Sequence, residues 1–146
     1  MNVRENDTHS LGVGYVLWIF GFLGSHRFYF GRPLSGTIYF FTLGLLLIGW
    51  IIDLFLMSKL EAEAERRYVS GEKNYTLAWV FLVFLGIFGV HRFYLGRIWT
   101  GLLYLLTVGL FGIGILYDFW MLNARISEKN QELSLASRSA GSRGAA

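Results

Sequence analysis

The sequence predicts an all-α integral membrane protein built as two tandem two-helix transmembrane hairpins, four spanning helices forming a parallel internal repeat. Three observations lead there. The 146 residues are 54% hydrophobic and 18% aromatic but only 16% charged, too little polar surface to wrap a core of that size in water. The charges gather in residues 1–10, 58–75 and 123–146 and in two short Arg-bearing turns, leaving apolar tracts near the ~20 residues that cross a ~30 Å hydrocarbon layer. The third observation is duplication. Gly21, Gly24, His26, Arg27, Phe28, Tyr29, Gly31 and Arg32 return, without a gap, as Gly86, Gly89, His91, Arg92, Phe93, Tyr94, Gly96 and Arg97. The same offset carries Gly36 onto Gly101, Tyr39 onto Tyr104, Thr42 onto Thr107 and Asp53 onto Asp118. A repeat this strict means one structural unit present twice.

In chain order, residues 1–10 are a polar N-terminus and 11–58 the first two-helix unit. The acidic leader has no small-x-small cleavage site after the first apolar run, so that run is expected to stay in place as a helix. It extends from Leu11 to about Phe30, Arg32-Pro33 marks a turn, and Leu34 to Met57 spans back, with Thr42-Leu-Gly44 and Gly49 as places for that helix to bend or break, since proline suits a helix start and disfavours helix in the residue before it. Residues 59–75 form a charged, partly helical linker rich in strong helix formers, with Glu63 and Arg67 one turn apart and Gly71 placed to cap it. The second unit, 76–123, repeats the design with Thr76 to about Leu95 and Trp99 to Leu122. The tail, 124–146, is small and polar and is expected to be disordered from about residue 134.

Two hairpins enter from the same side, so the repeats are related by an axis along the membrane normal. Lys and Arg concentrate in the linker (Lys59, Arg66, Arg67, Lys73) and the tail (Arg125, Lys129, Arg138, Arg143) rather than in the turns. This predicts a multi-pass protein with both termini cytoplasmic.

The repeated motif, followed by Gly36, Thr42, Gly44, Gly49 and Asp53, resembles the TM-two domain family of paired transmembrane helices, over about residues 12–58 and again 77–123. The resemblance implies two helices joined by a short motif-bearing turn and a family without an established enzymatic activity. Animal members carry Asp where this chain has His26 and His91. The tandem arrangement looks more like a bacterial inner-membrane member.

Each motif carries two readings. His26, Arg27, Tyr29 and Arg32, with His91, Arg92, Tyr94 and Arg97, put titratable rings, cations and aromatics at one interface. They are a site for anionic lipid headgroups, which Arg grips with paired donors, or they are snorkelling cations and an aromatic belt. Asp53 and Asp118 are acids at membrane depth, so they are candidates for a small ion or proton conduit. Otherwise they accept free N–H groups at a helix start. Asp53 is placed far along the second helix from the His-Arg turn, so no direct pair with Arg27 is expected. Gly21 and Gly24, with Gly86 and Gly89, lie three apart on a helix and allow close helix packing.

No cysteine is present, three histidines without acids at ligand spacing imply no metal or cofactor, and no nucleophile–base pair or phosphate loop points to an enzyme. The net charge of +3 is not gathered into a basic stripe, so nucleic acid is not an expected partner. The partners expected are the lipid bilayer, anionic lipids included, and a second copy or another membrane protein. The function these features support is that of a structural or interaction component of the membrane.

Overall fold

The computed structural model describes residues 8–19 and 23–144, with side chains through residue 141, and among them all regular structure is helical. In chain order the elements are α1 (Leu11–Ile19), α2 (Ser25–Tyr29), α3 (Pro33–Leu46), α4 (Ile48–Arg67), α5 (Tyr75–Leu85), a 3-10 turn (Gly86–Phe88), α6 (Val90–Tyr94), α7 (Ile98–Phe111) and α8 (Ile113–Gly144). Among the described residues no helix is long and apolar enough to cross a membrane. This corrects the four spanning helices expected from the sequence: each predicted span is interrupted, the second of them at the Thr42-Leu-Gly44 stretch where a bend or break was expected, and the interruptions recur at equivalent places in the two units.

The first interruption turns on Gly24 (φ +82) and Gly89 (φ +70). A Cβ at Gly24 would lie 2.8 Å from the Gly36 carbonyl oxygen and 2.8 Å from Tyr39 Cβ; at Gly89 it would lie 2.7 Å from Tyr104 Cβ. These glycines therefore supply a left-handed backbone and a close approach together. They break the predicted helix rather than sitting three apart on its face with Gly86, and Gly21 lies outside the described residues. After the break α2 runs back along α1, with Ser25 Oγ donating to the Leu17 carbonyl (3.0 Å) and the Ser10 N–H donating to Tyr29 Oη (2.7 Å).

The second interruption lies inside the predicted returning span. Leu43, Gly44, Leu45, Leu46 and Leu47 all have positive φ, as do Val108, Gly109, Leu110, Phe111 and Gly112. Such a turn costs about 1–2 kcal/mol for each non-glycine residue, so the native contacts around it must hold it. Its backbone groups are satisfied locally. Leu47 N–H donates to the Leu43 carbonyl (3.1 Å) and Leu45 N–H to Thr42 Oγ1 (3.1 Å), while Thr42 Oγ1 donates to the Ile38 carbonyl (2.6 Å). Thr107 repeats the device, accepting from Leu110 N–H at 3.2 Å and donating to Leu103 at 2.6 Å.

The chain therefore reverses direction, and α4 returns along α3 with Gly49 facing Tyr39. At the far side α4 lies antiparallel to α1. Trp18 and Trp50 stack at 4.5 Å and each indole donates to the other's carbonyl, at 2.7 and 2.9 Å.

The two units meet over a shared core of Phe28, Tyr29, Trp79, Leu122 and Ile126, with Phe28 edge-on to Phe119 at 5.4 Å and Tyr29 Oη bonded to Thr76 Oγ1 at 2.8 Å. Asn123 ties the units together. Its Nδ2 donates to the carbonyls of Phe28 and Tyr29, and its Oδ1 accepts from Trp79 Nε1 at 2.6 Å.

The linker and tail differ from expectation as well. Helix α4 ends at Arg67 with Tyr68 extended, and Gly71 instead packs against Asn130, which also bonds the backbone of Val69 and Lys73. Glu63 pairs with Arg32 rather than Arg67, which donates to the Gly31 carbonyl at 2.9 Å. The tail expected to be disordered is helical to Gly144. It prolongs a helix already nucleated by packing, so each added residue only propagates it.

Candidate functional site

The double reversal in each unit places its aspartate beside its His-Arg motif. Asp53 is fully buried. Its Oδ2 accepts from His26 Nε2 at 2.7 Å and from Arg27 Nε at 2.7 Å, and its Oδ1 accepts from the other arm of the Arg27 guanidinium. That guanidinium lies 4.0 Å from the centroid of the Tyr39 ring and also donates to Tyr39 Oη at 2.8 Å. The second unit reproduces the set. Asp118 accepts from His91 Nε2 (2.7 Å) and from both arms of Arg92 (2.9 and 2.7 Å), and Arg92 donates to Tyr104 Oη at 2.7 Å.

This overturns the expectation that Asp53 and Arg27 stand apart. That expectation assumed one straight helix from Gly36 to Asp53, and the turn at 43–47 folds the path back. It also corrects the alternative in which the acids accept backbone N–H groups at a helix start: their partners here are side chains. The carboxylate accepts from Nε2 of each histidine, and Nδ1 of each ring is buried without a hydrogen-bond partner.

A bidentate guanidinium–carboxylate pair is the strong form of such contact. Buried at both ends, it is also costly to disrupt, because loss of one partner strands the other charge. The Arg27 and Arg92 side chains are only 12% and 8% exposed, so their donors point inward to aspartate and tyrosine rather than outward to a headgroup. Tyr29 and Tyr94 likewise face inward, accepting the N–H of Ser10 and of Asn74 where the first helix of each unit starts. Of the motif's cations, Arg32 pairs with Glu63 and Arg97 is exposed.

The units differ in one respect. Arg125, whose equivalent in the first unit is Leu60, donates to Asp118 Oδ1 at 2.8 Å. Sequence reading missed Arg125, as it missed Asn123 and His9, because none has a repeated counterpart. Tyr39 and Tyr104 did carry a signal, since the repeat preserves both. Among the described residues no group of three His, Cys, Asp or Glu gathers to hold a metal. A cavity of about 630 Å³ lies between the units, lined by apolar side chains that include Leu17, Phe28, Phe40, Phe84 and Phe111, with Ser25 beside them.

His9 sits at the junction of both units. Thr8 Oγ1 donates to its Nδ1 at 2.9 Å, its Nε2 donates to Asn123 Oδ1 at 3.4 Å, and the rings of Tyr29, Phe30, Tyr68 and Tyr75 surround it. Burial drives its pKa down to about 4, because a charged imidazolium would lose its water there. The unfolded chain, with an ordinary His9, binds a proton from about pH 6.5 downward, while the folded protein resists until about 4. Stability is therefore complete above pH 6.5 and falls as pH drops toward 4, by about 3 kcal/mol across the window. The expected result is a melting temperature in detergent that declines from pH 7 to 4.5, with a shallower decline in His9→Gln. Parallel declines would remove His9 as the cause.

Two helical units, each closed by a His-Arg turn motif around a buried aspartate, define a duplicated α-helical module. The chain belongs to the TM2 domain family, which matches residues 7–55 and 71–120. Similar relatives include two TM2 domain-containing proteins of Dictyostelium discoideum. One is 44% identical over 68 residues, covering 46% of this chain and 44% of the relative; the other is 50% identical over 54 residues, covering 37% and 39%. TM2 domain-containing protein 1 of Danio rerio is 47% identical over 60 residues, 41% of this chain and 30% of that protein. The chain thus spans less than half the length of each of these relatives. All three are eukaryotic, which lends no support to a bacterial inner membrane. No solved structure matches.

Proposed function

We propose that the protein is a membrane component with a structural or interaction role, in which the two buried aspartates lock the units rather than carry ions or protons. The observation that carries this reading is the saturation of each carboxylate. Both oxygens of Asp53 are taken up by His26 and Arg27, and both of Asp118 by His91, Arg92 and Arg125. A relay group must exchange partners, whereas an acid held by a permanently charged bidentate arginine has none to release. Family membership supports residence in a membrane, as does a chain in which apolar residues outnumber charged ones more than threefold.

Any contact with anionic headgroups then falls to the exposed Arg97 rather than to Arg27 and Arg92. Reconstituted in vesicles under a pH gradient, the protein is expected to give no proton flux above protein-free vesicles. Flux that disappears in the paired Arg27→Gln, Asp53→Asn variant would replace this reading with the conduit.

A further inference from the structure

We infer that the cavity between the second His-Arg turn and α8 binds a zwitterion carrying an oxyanion and a primary ammonium, the chemistry shared by a phosphatidylethanolamine headgroup and free glycerophosphoethanolamine. Proton flux would remove the structural role proposed above and leave this site standing, so the two fail separately.

The repeat supplies the control. In the first unit the chain after the turn closes over it. Glu63 pairs with Arg32, Arg67 donates to the Gly31 carbonyl at 2.9 Å, the Tyr68 ring lies against Gly31, and Leu60 and Ala64 are buried. In the second unit the same positions hold Glu128, Glu132, Leu133, Arg125 and Lys129. Helix α4 stops at Arg67, whereas α8 runs on to Gly144 and does not fold back over its turn. Among the described residues beyond the chain neighbours, nothing lies within 4 Å of where a Cβ at Gly96 would stand. A cavity of about 190 Å³ takes that place, lined by Arg97 of the turn and by Arg125, Glu128, Lys129 and Glu132 of α8.

Three cations and two acids therefore line one small space. Lys129 and Glu132 satisfy each other at 2.9 Å. Arg125 gives Nη1 to Asp118 at 2.8 Å and lies 5.0 Å from the centroid of the Tyr117 ring. It is thus held in place with donors to spare, since a guanidinium has five. Asp118 already holds both arms of Arg92, so Arg125 is a second cation on one carboxylate.

Arg97 and Glu128 remain, and neither has an ion-pair partner among the described residues. Their equivalents in the first unit, Arg32 and Glu63, pair directly. An open pair of opposite charges on the walls of a polar cavity calls for a ligand of both signs. The oxyanion is placed between Arg97 and Arg125, whose planar forks match phosphate oxygens. The ammonium, with three donors, is placed at Glu128. An anion alone would face two carboxylates there, and a cation alone three basic groups.

The test uses the purified full chain in detergent, with retained lipid counted by native mass spectrometry from equal mixtures of phosphatidylethanolamine, phosphatidylcholine and phosphatidylglycerol. Phosphatidylethanolamine is expected to be retained about tenfold over phosphatidylcholine, whose methylated nitrogen has no N–H for Glu128; that ratio is the worth of one hydrogen bond to a charged group. Arg97→Gln and Glu128→Gln are each expected to abolish the preference, while Arg32→Gln and Glu63→Gln in the first unit leave it intact. Glu128→Lys should turn the preference toward phosphatidylglycerol, an outcome that a merely structural role would not produce. Both altered side chains of the second unit are exposed, so folding is expected to survive and is checked by the melting temperature. The soluble arm measures glycerophosphoethanolamine and glycerophosphocholine by calorimetry. Binding of the first alone, without any preference among the lipids, keeps the site and makes the free zwitterion its ligand. Wild-type protein that favours phosphatidylglycerol has a plain anion site, and this overturns the inference. Equal retention of all three lipids with no binding of glycerophosphoethanolamine overturns it too.

Discussion

Asp118→Asn and Asp53→Asn are each expected to destabilise the protein by about 3–5 kcal/mol, the range for stranding one member of a buried ion pair. Asn keeps one acceptor oxygen but turns an –NH2 toward donors that already crowd the site, and it removes the negative charge that Arg27 or Arg92 needs. The loss should be larger at Asp118, which Arg125 also reaches at 2.8 Å. Unfolding in mixed micelles, monitored by tryptophan fluorescence, measures it. Replacing both partners, as in Arg27→Gln with Asp53→Asn, should recover part of the loss, because neither charge is then stranded; a coupling of about 1–3 kcal/mol is expected for groups in direct contact. An Asp53→Asn protein within about 0.5 kcal/mol of wild type would mean that the network does not lock the unit.

That network was half legible in the sequence. The fixed offset that repeats His26, Arg27, Tyr39 and Asp53 marks them as one equivalent set, yet their meeting was hidden. The run from Leu43 to Ile48 is apolar almost throughout, so it shows no period to separate a helix from a reversal. The only signals of a reversal were glycines at Gly44 and Gly49, with Gly109, Gly112 and Gly114 in the copy, and the threonine that precedes them. A straight helix through that run sends Asp53 away from Arg27, and a reversal brings it back. Composition and pattern gave the all-helical class, because it follows from sums over residues. Direction depends on the conformation of five.

The contact between units was illegible for a different reason, and Asn123 shows it. Its equivalent in the first unit is Ser58, and that of His9 is Asn74, so nothing in the repeat draws attention to either. Asn123→Leu is expected to cost about 3–5 kcal/mol. The substitution strands the indole N–H of the fully buried Trp79 and the carbonyls of Phe28 and Tyr29, at about 1–3 kcal/mol for each buried group left unpaired. Asn123→Asp should not rescue it, since a carboxylate accepts from Trp79 and His9 but repels the two carbonyls that the amide served as donor. The damage should fall on the seam and not within each unit. Native-state hydrogen exchange is therefore expected to quicken together in α2 and α5, which Asn123 joins, while amides around Asp53 in α4 keep their protection. Acceleration confined to α8 itself would show that Asn123 stabilises only its own helix and that the two units are held by the aromatic core alone.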